Sequence, residues 1–180
     1  HRFLINDNDN TRRIQFDTTA SSFAEDSTPV YVKVEINQVD GGSHTSADYT
    51  LSGTAEGGGK DYTLAGGTIT VFAGEQSDSI EIDINNDLLK ESNETIILTL
   101  SNPVNANLDT NTVHTLTIAD NDGYPAIQFA DTASNGSEAA GEDSILVSLS
   151  APTGLTVTVD YEITGGTATD AIDYVLSNGT

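Results

Sequence analysis

The chain has 180 residues, with 6 Lys+Arg against 28 Asp+Glu and a formal net charge of −22. Six cations can neither neutralise a phosphate backbone nor dock on anionic lipid, so nucleic acid and membrane surfaces are excluded as main partners. Cys is absent, which removes disulfides, thiolate metal sites and Cys nucleophiles together, while 36% hydrophobic residues suffice for a buried core.

No run approaches 18 apolar residues, and the opening HRFLINDNDN lacks the pattern of a signal peptide. The first element is YVKVEI at 31–36, where Val30, Val32, Val34 and Ile36 alternate with Tyr31, Lys33 and Glu35 as in a strand with one wet face. TITVF at 68–72 and SIEIDI at 79–84 follow, rich in β-branched residues and bounded by turn residues. NDLLKESNE at 86–94 is the only helix-like run and is too short to stand alone. TIILTL at 95–100 and HTLTIAD at 114–120 are strands by the same criteria, and SILVSL at 144–149 and TVTVDYEI at 156–163 repeat the pattern. Short strands with turns every 8–12 residues predict an all-β, Ig-like antiparallel Greek-key β-sandwich.

An internal repeat sets the organisation. HRFLINDND at 1–9 matches HTLTIADND at 114–122, and IQF at 14–16 returns at 127–129, both 113 residues later. Asp61-Tyr62 returns as Asp173-Tyr174 and Gly67-Thr68 as Gly179-Thr180, both at an offset of 112, and GTA at 53–55 reappears at 166–168. The expected division is a final strand of a preceding repeat at 1–9, a complete repeat at 10–122, and the N-terminal half of the next repeat at 123–180. The short link Gly123-Tyr124-Pro125 favours stiff end-to-end stacking of repeats.

Carboxylates gather in the turns of the complete repeat. Glu25 and Asp26 precede the 31–36 strand, Asp61 precedes 68–72, Asp87, Glu91 and Glu94 lie between 79–84 and 95–100, and Asp120 and Asp122 close the last strand. A Greek-key sandwich brings these loops to one pole, where so many carboxylates repel one another unless a cation sits among them. Several hard oxygen ligands suit Ca²⁺ better than Mg²⁺ or a transition metal. Asp61 has a competing role as a turn cap, and Glu75 fits a turn better than a metal site. EGGGKD at 56–61 is no P-loop, because Asp follows Lys60, and DNDNTR at 7–12 fails as an EF-hand loop at Arg12 and Thr18. His1 and His114 share one repeat position at a strand start, which points to a structural role, and no catalytic signature is present, so no enzyme is expected.

The phrases GTAEGGGKDYTLAGGTITVFAGE at 53–75, INNDLLKESNETIILTLSNP at 84–103 and TLTIADND at 115–122, with GGTATDAIDYVLSNGT at 165–180, resemble tandem Calx-beta domains, found in sodium–calcium exchangers and bacterial surface proteins. The resemblance spans essentially the whole chain. It implies a Ca²⁺ cluster on Glu25, Asp61, Asp87, Glu91, Glu94, Asp120 and Asp122, with partial sets Asp7 and Asp9 upstream and Glu138 and Asp173 downstream. Asn86 and Asn121 stand where the exchanger domains carry Asp, which implies fewer or weaker ions.

The function expected from this combination is structural: a segment of an extracellular, bacterial repeat protein, such as an adhesin stalk or filament, rigidified by Ca²⁺. Its partners would be neighbouring repeats of the same chain, other copies in a fibre, or a cell-surface ligand. A regulatory Ca²⁺ sensor and a carbohydrate- or protein-binding module are the alternatives.

Overall fold

The computed structural model describes residues 11–39, 41–137, 139 and 141–180. The chain divides into two compact units, the first comprising residues up to Asp87 together with Ser92–Asn121, the second Leu88–Glu91 together with Asp122–Thr180. Among the described residues no helix is long and apolar enough to cross a membrane. The strand expected at 1–9, with Asp7 and Asp9, lies outside the described residues, as does Glu138.

Among the described residues the first unit has ten strands: β1 (Arg13–Phe16), β2 (Ala20–Ala24), β3 (Val30–Ile36), β4 (Thr45–Gly53), β5 (Tyr62–Thr63), β6 (Gly67–Val71), β7 (Ser77–Ile84), β8 (Glu94–Val104), β9 (Asn107–Leu108) and β10 (Val113–Ala119). They form two five-stranded sheets, in the orders β5-β7-β3-β1-β9 and β2-β10-β8-β4-β6. The alternation read in YVKVEI is the alternation of burial: Val30, Val32, Val34 and Ile36 are buried, whereas Tyr31 and Lys33 are exposed. Ile14, Phe16, Ile80, Ile82 and Ile84 join them from the first sheet, and Ala47, Ile69, Val71, Ile96, Leu98, Leu100, Leu116 and Ile118 meet them from the second. Each such aliphatic side chain contributes about 1.5–3 kcal/mol by leaving water. Lys33, on the wet face, pairs with Asp17 at 3.3 Å and Glu35 at 3.9 Å.

The sandwich is as expected, but its pairing is not wholly antiparallel. β2 runs parallel to β10, with Ala20 opposite Thr115 and Ala24 opposite Ala119, and β1 runs parallel to β9. The cause is the opening segment, which lays β1 on one sheet and, after Asp17–Thr19, β2 on the other. His114 anchors this crossing. It is buried, its Nδ1 donates to the Thr18 carbonyl at 2.7 Å, and its Nε2 lies 2.8 Å from Ser21 Oγ. The structural role expected of this histidine is therefore seen in its contacts.

Two other expectations are corrected. The helix-like run at 86–94 is a loop carrying one β-bridge at Lys90. In the second unit, SILVSL forms a strand only as β12 (Val147–Leu149), paired with β11 (Ile127–Phe129), and 156–163 forms no strand beyond the bridge between Tyr161 and Gly179. Val147 and Leu149 are 43% and 41% exposed, where the aligned Val34 and Ile36 are 0% and 3% exposed.

Candidate metal centre

The topology of the first unit brings its acidic turns to one pole. The parallel pairing of β2 with β10 continues one step past the strand, as Glu25 N–H donates to the Ala119 carbonyl at 3.2 Å, so Glu25 arrives beside the exit of β10. Ile84 N–H donates to Thr28 Oγ1 at 3.2 Å, and Asn85 N–H to the Asp61 carbonyl at 2.9 Å, which ties the 25–29 and 54–61 loops to the end of β7. Asp120 N–H donates to Asn93 Oδ1 at 3.2 Å, joining the β10 exit to the 85–93 loop.

Within this unit two pairs of carboxylates come together. Glu25 and Asp87 place one oxygen each within 4.8 Å of the other, and so do Asp61 and Glu94. Glu25 is only 8% exposed, Asp87 is exposed, and Asp61 and Glu94 are partly buried. Asp120 is in neither pair; it is held at the same strand exit through its N–H. Two unit negative charges at 4.8 Å repel by about 3.5 kcal/mol at an effective dielectric of about 20, and by roughly 1 kcal/mol in bulk water. A divalent cation between them reverses the sign of that term.

Glu91 and Asp122 belong to the second compact unit, covalently continuous with the loop and the strand exit that carry the other candidates. Glu91 packs on Gly154, where an added Cβ would meet its Oε1 at 2.8 Å. Asp122 Oδ2 is buried and, among the described residues, accepts no hydrogen bond. Within the first unit the paired donors are all carboxylate oxygens and include no His or Cys, a set that fits a hard divalent cation.

The turn-capping role weighed for Asp61 is seen in its contacts. Its Oδ2 accepts the Glu56 N–H at 2.6 Å and its own N–H returns to the Glu56 carbonyl at 3.0 Å, closing the glycine-rich loop, while it still approaches Glu94. In the second unit Asp173 closes the shorter counterpart loop in the same way, with Thr169 N–H on its Oδ2 at 2.7 Å and its N–H on the Thr169 carbonyl at 2.9 Å. Glu75 N–H donates to the Phe72 carbonyl at 3.0 Å, in a turn away from the acidic pole.

The sequence pattern did not anticipate the asparagine scaffold beneath the carboxylates. Asn121 Nδ2 donates to Asn86 Oδ1 at 3.1 Å and Asn85 Nδ2 to the Lys60 carbonyl at 3.1 Å. These two amides thus bond to each other across the pole, which two carboxylates could not do.

The Calx-beta domain model matches the chain twice, over residues 7–122 and 120–180. The chain belongs to the Calx-beta domain family. Among solved structures it is similar to the apo form of the Calx CBD1 domain, at 23% identity and a TM-score of 0.56, over 63% of this chain and 100% of that one. CBD12 of CALX1.2 matches at 22% identity and a TM-score of 0.56, over 66% of this chain and 48% of that one, so the chain spans about half of that structure. The Calx CBD2 domain matches at 13% identity and a TM-score of 0.53, over 60% of this chain and 86% of that one. At these identities the likeness carries the fold. No curated protein sequence matches the chain.

The repeated Gly-Thr pair, Gly67-Thr68 and Gly179-Thr180, has a physical basis in a second repeated pair, Asp48-Tyr49 and Asp160-Tyr161. Asp48 and Tyr49 on β4 lie opposite Thr68 and Gly67 on β6. Thr68 Oγ1 donates to Asp48 Oδ1 at 2.7 Å, and Gly67 sits against the Tyr49 ring, where a Cβ would meet the phenol oxygen at 3.1 Å. In the second unit Tyr161 pairs with Gly179, Thr180 Oγ1 donates to Asp160 Oδ1, and a Cβ at Gly179 would meet the Tyr161 oxygen at 2.7 Å. Asp48-Tyr49 with Gly67-Thr68, and Asp160-Tyr161 with Gly179-Thr180, each form one cross-strand clamp in which the aromatic ring covers the glycine. Hydrogen bonds from Thr68 and then Asn102 hold the Asp48 carboxyl below the usual carboxylate range, and burial pushes the Tyr49 phenol up.

Proposed function

We propose that the first Calx-beta unit binds Ca²⁺ at its acidic pole and that the chain is a load-bearing segment of an extracellular repeat protein. The observation that carries the reading is the approach of the buried Glu25 to Asp87, matched by that of Asp61 to Glu94, on loops tied together by backbone hydrogen bonds. Glu25, Asp61, Asp87 and Glu94 would hold the ion or ions, with Asp120 held at the same strand exit. When bound, Ca²⁺ supplies charge neutralisation and cross-links the loops; the protein contributes the rigid strand ends that present the oxygens. Asp173 closes its loop as Asp61 does, and it belongs to the partial set from which weaker ion binding is expected.

The physical consequence is linkage. An ion that binds the folded pole and not the unfolded chain adds about 2.7 kcal/mol at 100 times its Kd. The tandem family match and the net charge of −22 support a repeat segment working in a Ca²⁺-containing, extracellular setting. Thermal unfolding of the 180-residue chain in millimolar Ca²⁺, in millimolar Mg²⁺ and in chelator tests the site. The first unit should melt several degrees higher in Ca²⁺ than in either other condition. Superimposable curves in Ca²⁺ and chelator would remove the proposal.

A further inference from the structure

Two Asn-Gly dipeptides occur in the second unit, at 135–136 and 178–179, in opposite environments. Asn178 is held at both groups that matter for backbone chemistry: its Oδ1 accepts the Ile163 N–H at 3.0 Å, and the following N–H, of Gly179, donates to the Tyr161 carbonyl at 3.2 Å. The Tyr161 ring also lies directly on Gly179. Asn135 and Gly136 are both exposed, with the Asp143 carboxylate beside Gly136, where a Cβ would meet its Oδ2 at 2.6 Å; among the described residues no group accepts the Gly136 N–H or bonds the Asn135 amide. Glycine places no Cβ in the way of the five-membered ring that such a dipeptide can close.

We infer that Asn135 is a site of spontaneous backbone modification, a deamidation from which Asn178 is protected. The Gly136 nitrogen attacks the Asn135 Cγ and loses its proton. A C–N bond forms, the Cγ–Nδ2 bond breaks, and ammonia leaves a cyclic imide. Water then opens the imide at either carbonyl, giving Asp or, with the main chain routed through the β-carbon, isoaspartate. One water is consumed and one ammonia released, and no oxidant or catalyst is needed.

The position gives the change a consequence. The 113-residue offset aligns Asn135 with Ser22 of β2 and Glu138 with Glu25. An isoaspartate inserts one extra backbone atom three residues before that glutamate and adds a negative charge to an already acidic chain. It would lengthen the backbone of the segment that aligns with β2, the first-unit strand that delivers Glu25 to the pole.

The test is to incubate the intact chain in mildly alkaline buffer at physiological temperature and follow both dipeptides by peptide mass mapping, with isoaspartyl methyltransferase labelling of the product. Asn135 should convert at least about tenfold faster than Asn178, since Asn178 must first give up two hydrogen bonds. In denaturant the two rates should converge. Asn135→Gln should abolish the main isoaspartate signal and Asn178→Gln should leave it intact. Equal rates in the folded chain, faster conversion at Asn178, or a difference that persists in denaturant would each overturn the inference. Gly136→Ala should slow conversion of Asn135, and an unchanged rate in that variant would show that ring closure at this dipeptide is not the route.

Discussion

Replacing Asp87 by Asn should change the stability of the first unit with opposite signs in the two states of the site. Without a cation, Asp87 and the buried Glu25 repel within 4.8 Å. The bare term is about 3.5 kcal/mol at an effective dielectric of about 20 and roughly 1 kcal/mol at that of water. Asp87 is exposed, so solvent screening places the benefit of removing its charge toward the lower end, near 1 kcal/mol. In saturating Ca²⁺ the same substitution removes a charged ligand from the ion, and the variant forfeits part of the roughly 2.7 kcal/mol of linkage available at 100 times the Kd. Denaturant unfolding of wild type and Asp87→Asn, each in chelator and in excess Ca²⁺, measures all four corners of this cycle. Asp87→Asn should be more stable than wild type in chelator and less stable in Ca²⁺. A shift of one sign in both conditions would refute the reasoning, because it would mean that Asp87 acts through packing or loop structure and not through charge at a metal site.

Further substitutions probe the frame that holds the pole. Leu98→Ala, at a fully buried position on the central strand β8, should cost about 2–5 kcal/mol in chemical denaturation, with no change in the sign of the Ca²⁺ response. Gly53 has φ +126° and a Cβ there would sit 2.1 Å from the Thr95 carbonyl oxygen, so Gly53→Ala should cost at least about 1–3 kcal/mol or prevent folding, as read by circular dichroism. The folded-state pKa of Asp48 is depressed, so its contribution is present above the unfolded value near 3.9 and is lost as pH falls through the lower folded value. The stability gap between wild type and Asp48→Ala should therefore be constant near neutrality and shrink on acidification below about pH 4. A gap that widens on acidification would contradict this assignment.

The strands legible in the sequence were those whose burial alternates cleanly. β3, β7, β8 and β10 each set four, three, three and three fully buried residues against polar neighbours. β2, Ala-Ser-Ser-Phe-Ala, has no such alternation, because it lies at a sheet edge and buries none of its five residues. β4 escaped notice for a related reason: only Thr45 and Ala47 are buried, and the rest of the strand is partly or fully exposed. Of the apolar runs of the second unit only Val147–Leu149 forms a strand, because period marks one face of a segment and does not say whether a neighbour pairs with it. At the site, the gathering of acidic loops followed from topology, since loops alternate between the two ends of a sandwich. The mutual hydrogen bond of Asn86 and Asn121 did not, because nothing in either segment records which amide faces which across 35 residues.

The split opening strand has a mechanical consequence. β1 and β9 run parallel, as do β2 and β10, so the segments through which the chain enters and leaves the first unit lie side by side and point the same way. Tension applied to the two ends pulls β2 and β10 past each other along their common axis. The five aligned residue pairs from Ala20–Thr115 to Ala24–Ala119 then carry load together, not one after another as in an unzipping hairpin. A domain wired in this way resists stretching by shear, with its resistance concentrated next to the strand end that carries Glu25.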